Sequence, residues 1–142
     1  MKITKLMSPN VVTIDIDDKL SVIKSIFDNT NFHHLLVING TQLVGVISDR
    51  DLLKALSPRI DTAAETLRDL NCLNQKAHQI MSREVIYRET DTTIKQAVEI
   101  FNTHKVSCIP VVDSNKQPIG ILTWRDIMKA LGNNLKKNQA AK

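Results

Sequence analysis

Gly45-Val46-Ile47-Ser48-Asp49-Arg50-Asp51 decides the fold, because it recurs as Gly120-Ile121-Leu122-Thr123-Trp124-Arg125-Asp126. In both stretches an apolar run ends at a hydroxyl residue, and a carboxylate follows three positions later. That is how a strand runs into a helix. Ser48 or Thr123 serves as N-cap, while Asp51 or Asp126 closes a capping box and opposes the positive end of the helix dipole. The same junction presents backbone N–H groups, a hydroxyl and an adjacent Arg to an anion. A carboxylate there can also accept two hydrogen bonds from a vicinal diol. Taken alone, the motif is fully explained as a helix start; as a site, it suits phosphate and ribose.

Outward from this motif the repetition continues. Met7-Ser8 matches Met81-Ser82 at an offset of 74 residues. At that offset Val11 falls on Val85, Asp17 on Asp91, Ile26-Phe27 on Ile100-Phe101 and Val37 on Val111. A one-residue insertion follows in the second repeat. Gly45 then falls on Gly120, Arg50-Asp51 on Arg125-Asp126, and Lys54-Ala55-Leu56 on Lys129-Ala130-Leu131. Two copies are too few for a solenoid, so two modules packed face to face are expected.

Each repeat reads as β-α-β-β-α. A strand (Val11 to Asp15; Val85 to Glu89) leads through an acidic or hydroxyl cap to a helix. Its inward positions are Leu20, Ile23 and Phe27 in the first repeat, and Ile94, Ala97, Val98 and Phe101 in the second. Two apolar runs separated by a polar turn come next: 35–38 and 43–47 around Asn39-Gly40-Thr41-Gln42, then 109–112 and 119–122 around residues 113–117. Asn-Gly between apolar runs signals a hairpin. Closing helices are predicted over 50–56 and 125–131, with Gly132 as the stop. Between the repeats Ser57-Pro58 breaks the chain. Thr62-x-x-Glu65 then predicts a capping box opening a long helix, with Ala63, Leu67, Leu70, Leu73, Ala77 and Ile80 on one side. The expected organisation is a first module at 1–57, a helical linker at 58–80, a second module at 81–132 and a basic flexible tail at 133–142.

Bulk composition narrows the function. The chain has 142 residues, 42% of them hydrophobic, which is enough for a shared core. No run approaches the roughly 20 apolar residues of a membrane span, and Met1 opens on amphipathic sequence rather than a secretory leader, so a cytoplasmic protein is expected. Cys72 and Cys108 lie in unrelated contexts without CxxC spacing, which predicts reduced, structural thiols. A formal charge of +4 comes partly from the tail, and one Trp, one Tyr and three Phe offer few platforms for bases. Both facts argue against nucleic acid.

The β-α-β-β-α pairs ending in Gly, two apolar residues, Ser/Thr and an Asp three positions on resemble the CBS-domain family (cystathionine β-synthase domain pairs) over about residues 3–131. Free-standing bacterial members linked by name to acetoin utilization are similar along most of the chain. The resemblance implies an α/β (α+β) fold in which two modules pack as a pseudo-twofold pair, with two clefts that take adenosine-containing ligands. Asp51 and Asp126 would then accept ribose hydroxyls, Ser48 and Thr123 meet phosphate, and Arg50 and Arg125 add charge. Adenine would sit between the first strand and the segment entering the second. Those segments are Val12-Thr13 with His34-Leu35-Leu36, and Ile86-Tyr87 with Cys108-Ile109-Pro110, so Thr13, Leu35, Tyr87, Ile109 and Pro110 join the expected site. The first repeat reads Leu36-Val37-Ile38-Asn39 where the second has Pro110-Val111-Val112-Asp113, and Thr13 has Tyr87 as counterpart. The clefts are expected to differ, with at most one tight site.

Other chemistry is poorly supported. His33, His34, His78 and His104 form no metal-ligand pattern, and His104-x-x-x-Cys108 lacks an orienting carboxylate. His33-His34 reads as a polar pair on an edge strand. Asp49 and Asp51 point in different directions from a helix start and do not make an acid/base pair. Trp124, in place of Asp49, is read as a packing residue. An enzyme is not expected and no cofactor is required. The expectation is a regulatory sensor of AMP, ADP, ATP or a related ligand, homodimeric and acting on an effector protein in trans. Two alternatives stand beside it: a homodimeric assembly module without a nucleotide ligand, and a nucleic-acid binder whose affinity falls steeply with salt.

Overall fold

Each repeat supplies one three-stranded sheet, and the fold is mixed α+β. The computed structural model describes residues 1–140, which fall into two compact units. One comprises Val12–Val85; the other combines Met1–Val11 with the chain from Ile86 onward.

In the unit Val12–Val85, β1 (Thr13–Asp15) is followed by α1 (Leu20–Asn29), β2 (His34–Asn39), β3 (Gln42–Ser48) and α2 (Asp49–Ala55). The short helices α3 (Leu67–Leu70) and α4 (Ala77–Ile80) complete it. β1 runs parallel to the central β2, and β3 returns antiparallel on its other side. Alternation along β2 sends Leu35 and Val37 into a core with Ile14, Leu20, Ile23, Ile47, Leu52 and Ala77, and sends Leu36 to the opposite face. The β2–β3 loop is Gly40-Thr41, with Gly40 at φ +67, the backbone that a two-residue hairpin asks of glycine.

The second unit repeats this order with β4 (Arg88–Glu89), α5 (Ile94–Thr103), β5 (Cys108–Val112), β6 (Pro118–Thr123) and α6 (Trp124–Ala140). Its core gathers Ile3, Ala97, Ile100, Ile109, Val111 and Leu122. Ile100 is buried where the helix reading had placed Ile94, Val98 and Phe101 alongside Ala97; Ile94 and Phe101 pack half-buried against this core, and Val98 is half-buried. In the longer β5–β6 turn Lys116 takes φ +62, while Asp113 Oδ1 accepts from the backbone N–H groups of Asn115 and Gln117 at 2.9 and 3.0 Å.

The segment preceding each repeat belongs to the other unit. Ile3, at the head of a 3-10 turn (Ile3–Lys5), is fully buried in the core of the second repeat. Its N–H bonds the Thr92 carbonyl at 2.9 Å, and Ile94 N–H returns to the Met1 carbonyl at 2.9 Å. The same pattern recurs 74 residues on. Ala77 N–H bonds the Asp18 carbonyl at 2.8 Å and Leu20 N–H bonds the Gln75 carbonyl at 2.7 Å. Ser8 then bridges Ile121, and Ser82 bridges Val46.

These exchanged segments explain the motif glycines. A Cβ on Gly45 would strike the Met81 sulfur and approach the Ser82 carbonyl oxygen to 3.1 Å. A Cβ on Gly120 would meet the Met7 sulfur at 2.5 Å and the Ser8 carbonyl oxygen at 3.1 Å. Glycine is required for close approach, since neither residue has positive φ.

Three expectations are corrected. The long linker helix is replaced by one turn (α3), a 3-10 turn Asn71–Asn74 and a second turn (α4). The capping box is Thr66 with Asp69, not Thr62 with Glu65. Gln75 and Lys76 must be extended to bond the start of α1, and that interrupts any helix. Ala77 is therefore buried and Ile80 and Leu73 are half-buried, while Ala63, Leu67 and Leu70 stay exposed. Second, α6 runs through Gly132 to Ala140, because glycine costs a helix interior only about 1 kcal/mol and stops it only by turning left-handed. The expected flexible tail is thus helical as far as described; Ala141 and Lys142 lie outside the described residues. Third, no side chain caps α1; the N–H of its first residue, Leu20, is met by the Gln75 carbonyl of the exchanged segment instead. The first strands are also shorter than predicted, beginning at Thr13 and Arg88.

Gly45→Ala and Gly120→Ala should each lower stability by about 1–3 kcal/mol, read as a lower urea midpoint. Adding Met81→Ala to Gly45→Ala should recover part of that loss, whereas adding it to Gly120→Ala should recover none.

Candidate functional site

In the unit Val12–Val85 one end of the sheet collects the expected residues. His34 pairs with Ser48 across β2 and β3, and Thr13 pairs with Leu36, two residues or about 7 Å further along β2. The Ser48–Asp51 capping box forms as the motif predicts. Asp51 Oδ2 accepts from Ser48 N–H at 2.8 Å, and Asp51 N–H donates to Ser48 Oγ at 3.1 Å. Arg50 is exposed, Ser48 and Asp51 are half-buried, and Thr13 is exposed at the edge strand. Leu35 is fully buried in the core, so it has only main-chain groups to offer a ligand. Leu36 and Thr13 occupy the sheet face away from that core.

The second unit assembles the matching set. Thr123 N–H and Oγ1 donate to Asp126 Oδ2 at 2.8 and 3.0 Å, and Asp126 N–H returns to Thr123 Oγ1 at 3.3 Å. Thr123 pairs with Cys108 at the start of β5. Ile109 points into the core, as Leu35 does, while Pro110 takes the opposite face. Tyr87 just precedes β4, and its ring lies under the Lys116 ammonium at 5.0 Å, an interaction joining the strand start to the far hairpin. Trp124 is stacked by its neighbour Arg125 at 5.8 Å. In both units the box engages Oδ2 of the Asp.

The two ends differ in charge. In the first repeat His33 Nδ1 lies 2.9 Å from Asp49 Oδ2, and this hydrogen bond holds the Asp49 carboxyl below its ordinary value. The sequence analysis missed the pair because 16 residues separate its members and no periodicity joins them. Its second-repeat counterparts are Ser107 and Trp124, which carry no charge. Burial lowers the His34 pKa, with His33 adding to the effect and Asp49 and Asp51 opposing it. The expected edge-strand setting of this histidine is corrected, since β2 is the central strand. Cys108 is buried, as a core thiol should be, and desolvation pushes its pKa up to about 12. None of the motif residues lines the open groove of about 430 Å³ beside α5, which is bounded by Arg88, Asp91, Gln96 and Glu99.

The model of the CBS domain matches residues 3–58 and 77–133, one match for each repeat. The chain belongs to the CBS-domain family. Inosine-5'-monophosphate dehydrogenase of Methanocaldococcus jannaschii is 26% identical over 129 residues, covering 90% of this chain. The chain spans only 23% of that enzyme's length. A putative acetoin utilization protein (AcuB) from Vibrio cholerae superposes with a TM-score of 0.78 at 20% identity, covering 100% of this chain and 98% of the other. The CBS domain pair of protein MJ0100, crystallised with 5'-methylthioadenosine and S-adenosyl-L-methionine, gives 0.74 at 23% identity over 92% of this chain and 99% of the other. The CBS-pair fold expected from the repeats is therefore present. Among the described residues no helix is long and apolar enough to cross a membrane.

Two measurements probe these burial effects. A thiol reagent should label half-buried Cys72 on the native protein well before Cys108, which should react only on unfolding. The lowered His34 pKa means that the unfolded chain binds a proton the folded chain refuses. Its contribution to stability should be complete above about pH 6.5 and decline as pH falls below that. His34→Asn should flatten the decline in urea midpoints measured between pH 7.5 and 5.5.

Proposed function

We propose that this CBS pair is a regulatory sensor that binds an adenosine-containing ligand at the motif-bearing end of each sheet. The observation that carries the reading is the pair of half-buried carboxylates, Asp51 and Asp126. Each is fixed in orientation through Oδ2 by its own helix start, and Oδ1 would accept from a diol. A carboxylate held by the N-cap backbone N–H loses little entropy when a ribose docks. The fully buried Leu35 and Ile109 act through their main chain, while Thr13, Tyr87 and Pro110 border the base. Ser48 and Thr123, with Arg50 and Arg125, face the 5' substituent. Crystallisation of the MJ0100 CBS pair with two adenosine-containing ligands supports this choice of ligand class.

Charge ranks the two ends. The first carries the additional carboxylate Asp49, whereas the second has Trp124 there and Arg125 beside it. AMP, ADP and ATP should prefer the Thr123–Asp126 end. The protein acts in the cytoplasm as a homodimer, is not itself an enzyme, and passes the bound state to an effector protein in trans.

Isothermal titration with adenosine, 5'-methylthioadenosine, AMP, ADP and ATP tests the reading. Binding below millimolar is expected, together with a rise in melting temperature that grows with ligand concentration. Asp126→Asn, which keeps an oxygen for the capping box, should weaken AMP at least tenfold, and Asp51→Asn should weaken it less. No binding by any ligand, or full binding to the double variant, would sink the proposal.

A further inference from the structure

At one position of the edge strand the second repeat departs from the first, and a groove opens beside it. In β1, Ile14 pairs with Val37 and is buried in the core of its unit. Arg88 holds the same register in β4, opposite Val111, yet it is exposed. An unpaired guanidinium is too costly to bury, so it turns outward. The second core gains a larger residue elsewhere: Ile3 is fully buried in it, where the first core has Ala77, 74 residues on. Beside Arg88 lies the open groove of about 430 Å³ along α5. Thr92 and Ile100, both buried, form its floor, and the exposed Arg88, Asp91, Gln96 and Glu99 form its walls. The first repeat has Val22 and Ser25 at the positions of Gln96 and Glu99, so this mixture of charge belongs to the second repeat alone.

Opposite charges share this groove without meeting. The ion pairs among the described residues use Lys24, His33 and Lys76 as their cations, and none of them includes Arg88, Asp91 or Glu99. Arg88 Nη1 donates to the carbonyl of its neighbour Tyr87 at 2.7 Å. Lys2 Nζ donates to the Asp91 carbonyl at 2.8 Å, which brings a second cation to the rim. We propose that the groove is a second effector site, for a free α-amino acid. A zwitterion joins charges that are held apart: its carboxylate takes the planar fork of Arg88, and its ammonium sits with Glu99 and Asp91. A plain anion would meet two carboxylates, and a plain cation would meet Arg88 and Lys2. Two cations against two carboxylates select a ligand with both signs. The volume lies at the small end of the roughly 300–1,000 Å³ of ligand pockets, and Ile100 is the one apolar residue among those lining it, so the ligand is small with a polar side chain.

The adenosine ligand is placed on the sheet face turned away from the core, whereas this groove lies on the helix side, so the inference stands apart from the sensor reading. Isothermal titration of the full chain with glutamine, serine, lysine, glutamate and leucine, each up to about 10 mM, should show binding of at least one polar amino acid, with leucine the weakest. The matching amine without its carboxylate should bind about tenfold more weakly or worse, and Arg88→Gln and Glu99→Gln should each cost a similar factor. Arg88→Ile, which restores the residue of the first repeat, should keep the urea midpoint of the wild type and abolish binding. Glu99→Gln should leave titrations with adenosine ligands unchanged. The proposal is overturned if no amino acid binds, if binding survives Arg88→Ile, or if the decarboxylated amine binds as tightly as its parent. Amino-acid binding by a chain blind to every adenosine ligand would spare the groove and remove the sensor; the reverse result would spare the sensor alone.

Discussion

The close approach of Met81-Ser82 to Gly45-Val46, and of Met7-Ser8 to Gly120-Ile121, is the constraint on which the rest of the structure depends. Each contact closes one compact unit with a segment that lies before the neighbouring repeat in sequence. The segment supplies a buried residue, Ile3 or Ala77, and main-chain partners for the first turn of α5 or α1. Without a glycine in the third strand the segment could not lie flat enough to make either. The leading Gly of the motif is therefore structural, and the proposed ligand contacts fall to its last four residues.

In the proposed site those four residues would serve two purposes with the same atoms. The capping box starts a helix at the end of the third strand, and by doing so it fixes a carboxylate at the same end of the sheet as the starts of the first two strands. Such preorganisation makes a small site feasible in modules this size. The residue between the hydroxyl and the Arg then sets the local charge. Asp49, tied to His33, makes one end more anionic, while Trp124 leaves the other neutral and aromatic.

The repeat offset, the β-α-β-β-α order, the hairpin at Asn39-Gly40 and both capping boxes were legible in the chain, because each rests on contacts within a few residues. The same local reasoning failed where distant contacts prevailed. The linker should be helical by its apolar spacing, yet Gln75 and Lys76 are drawn out to bond the start of α1. Gly132 should end a helix by its type, yet nothing there requires a left-handed turn. Leu35 and Ile109 lie beside the expected ligand in sequence but face the core, since the side-chain alternation of a central strand follows from its pairing.

The sequence by itself determined that there are two modules of one kind, where their strands meet their helices, and that Asp51 and Asp126 stand at those junctions. Periodicity and capping are properties of neighbouring residues, and repetition multiplies their signal. Only the tertiary structure decided that each module is completed by the segment before the other repeat, that the motif glycines are floors for methionines, and that Asp49 is paired with His33. These depend on residues brought together from distant parts of the chain, for which burial and close approach, rather than local propensity, set the energy.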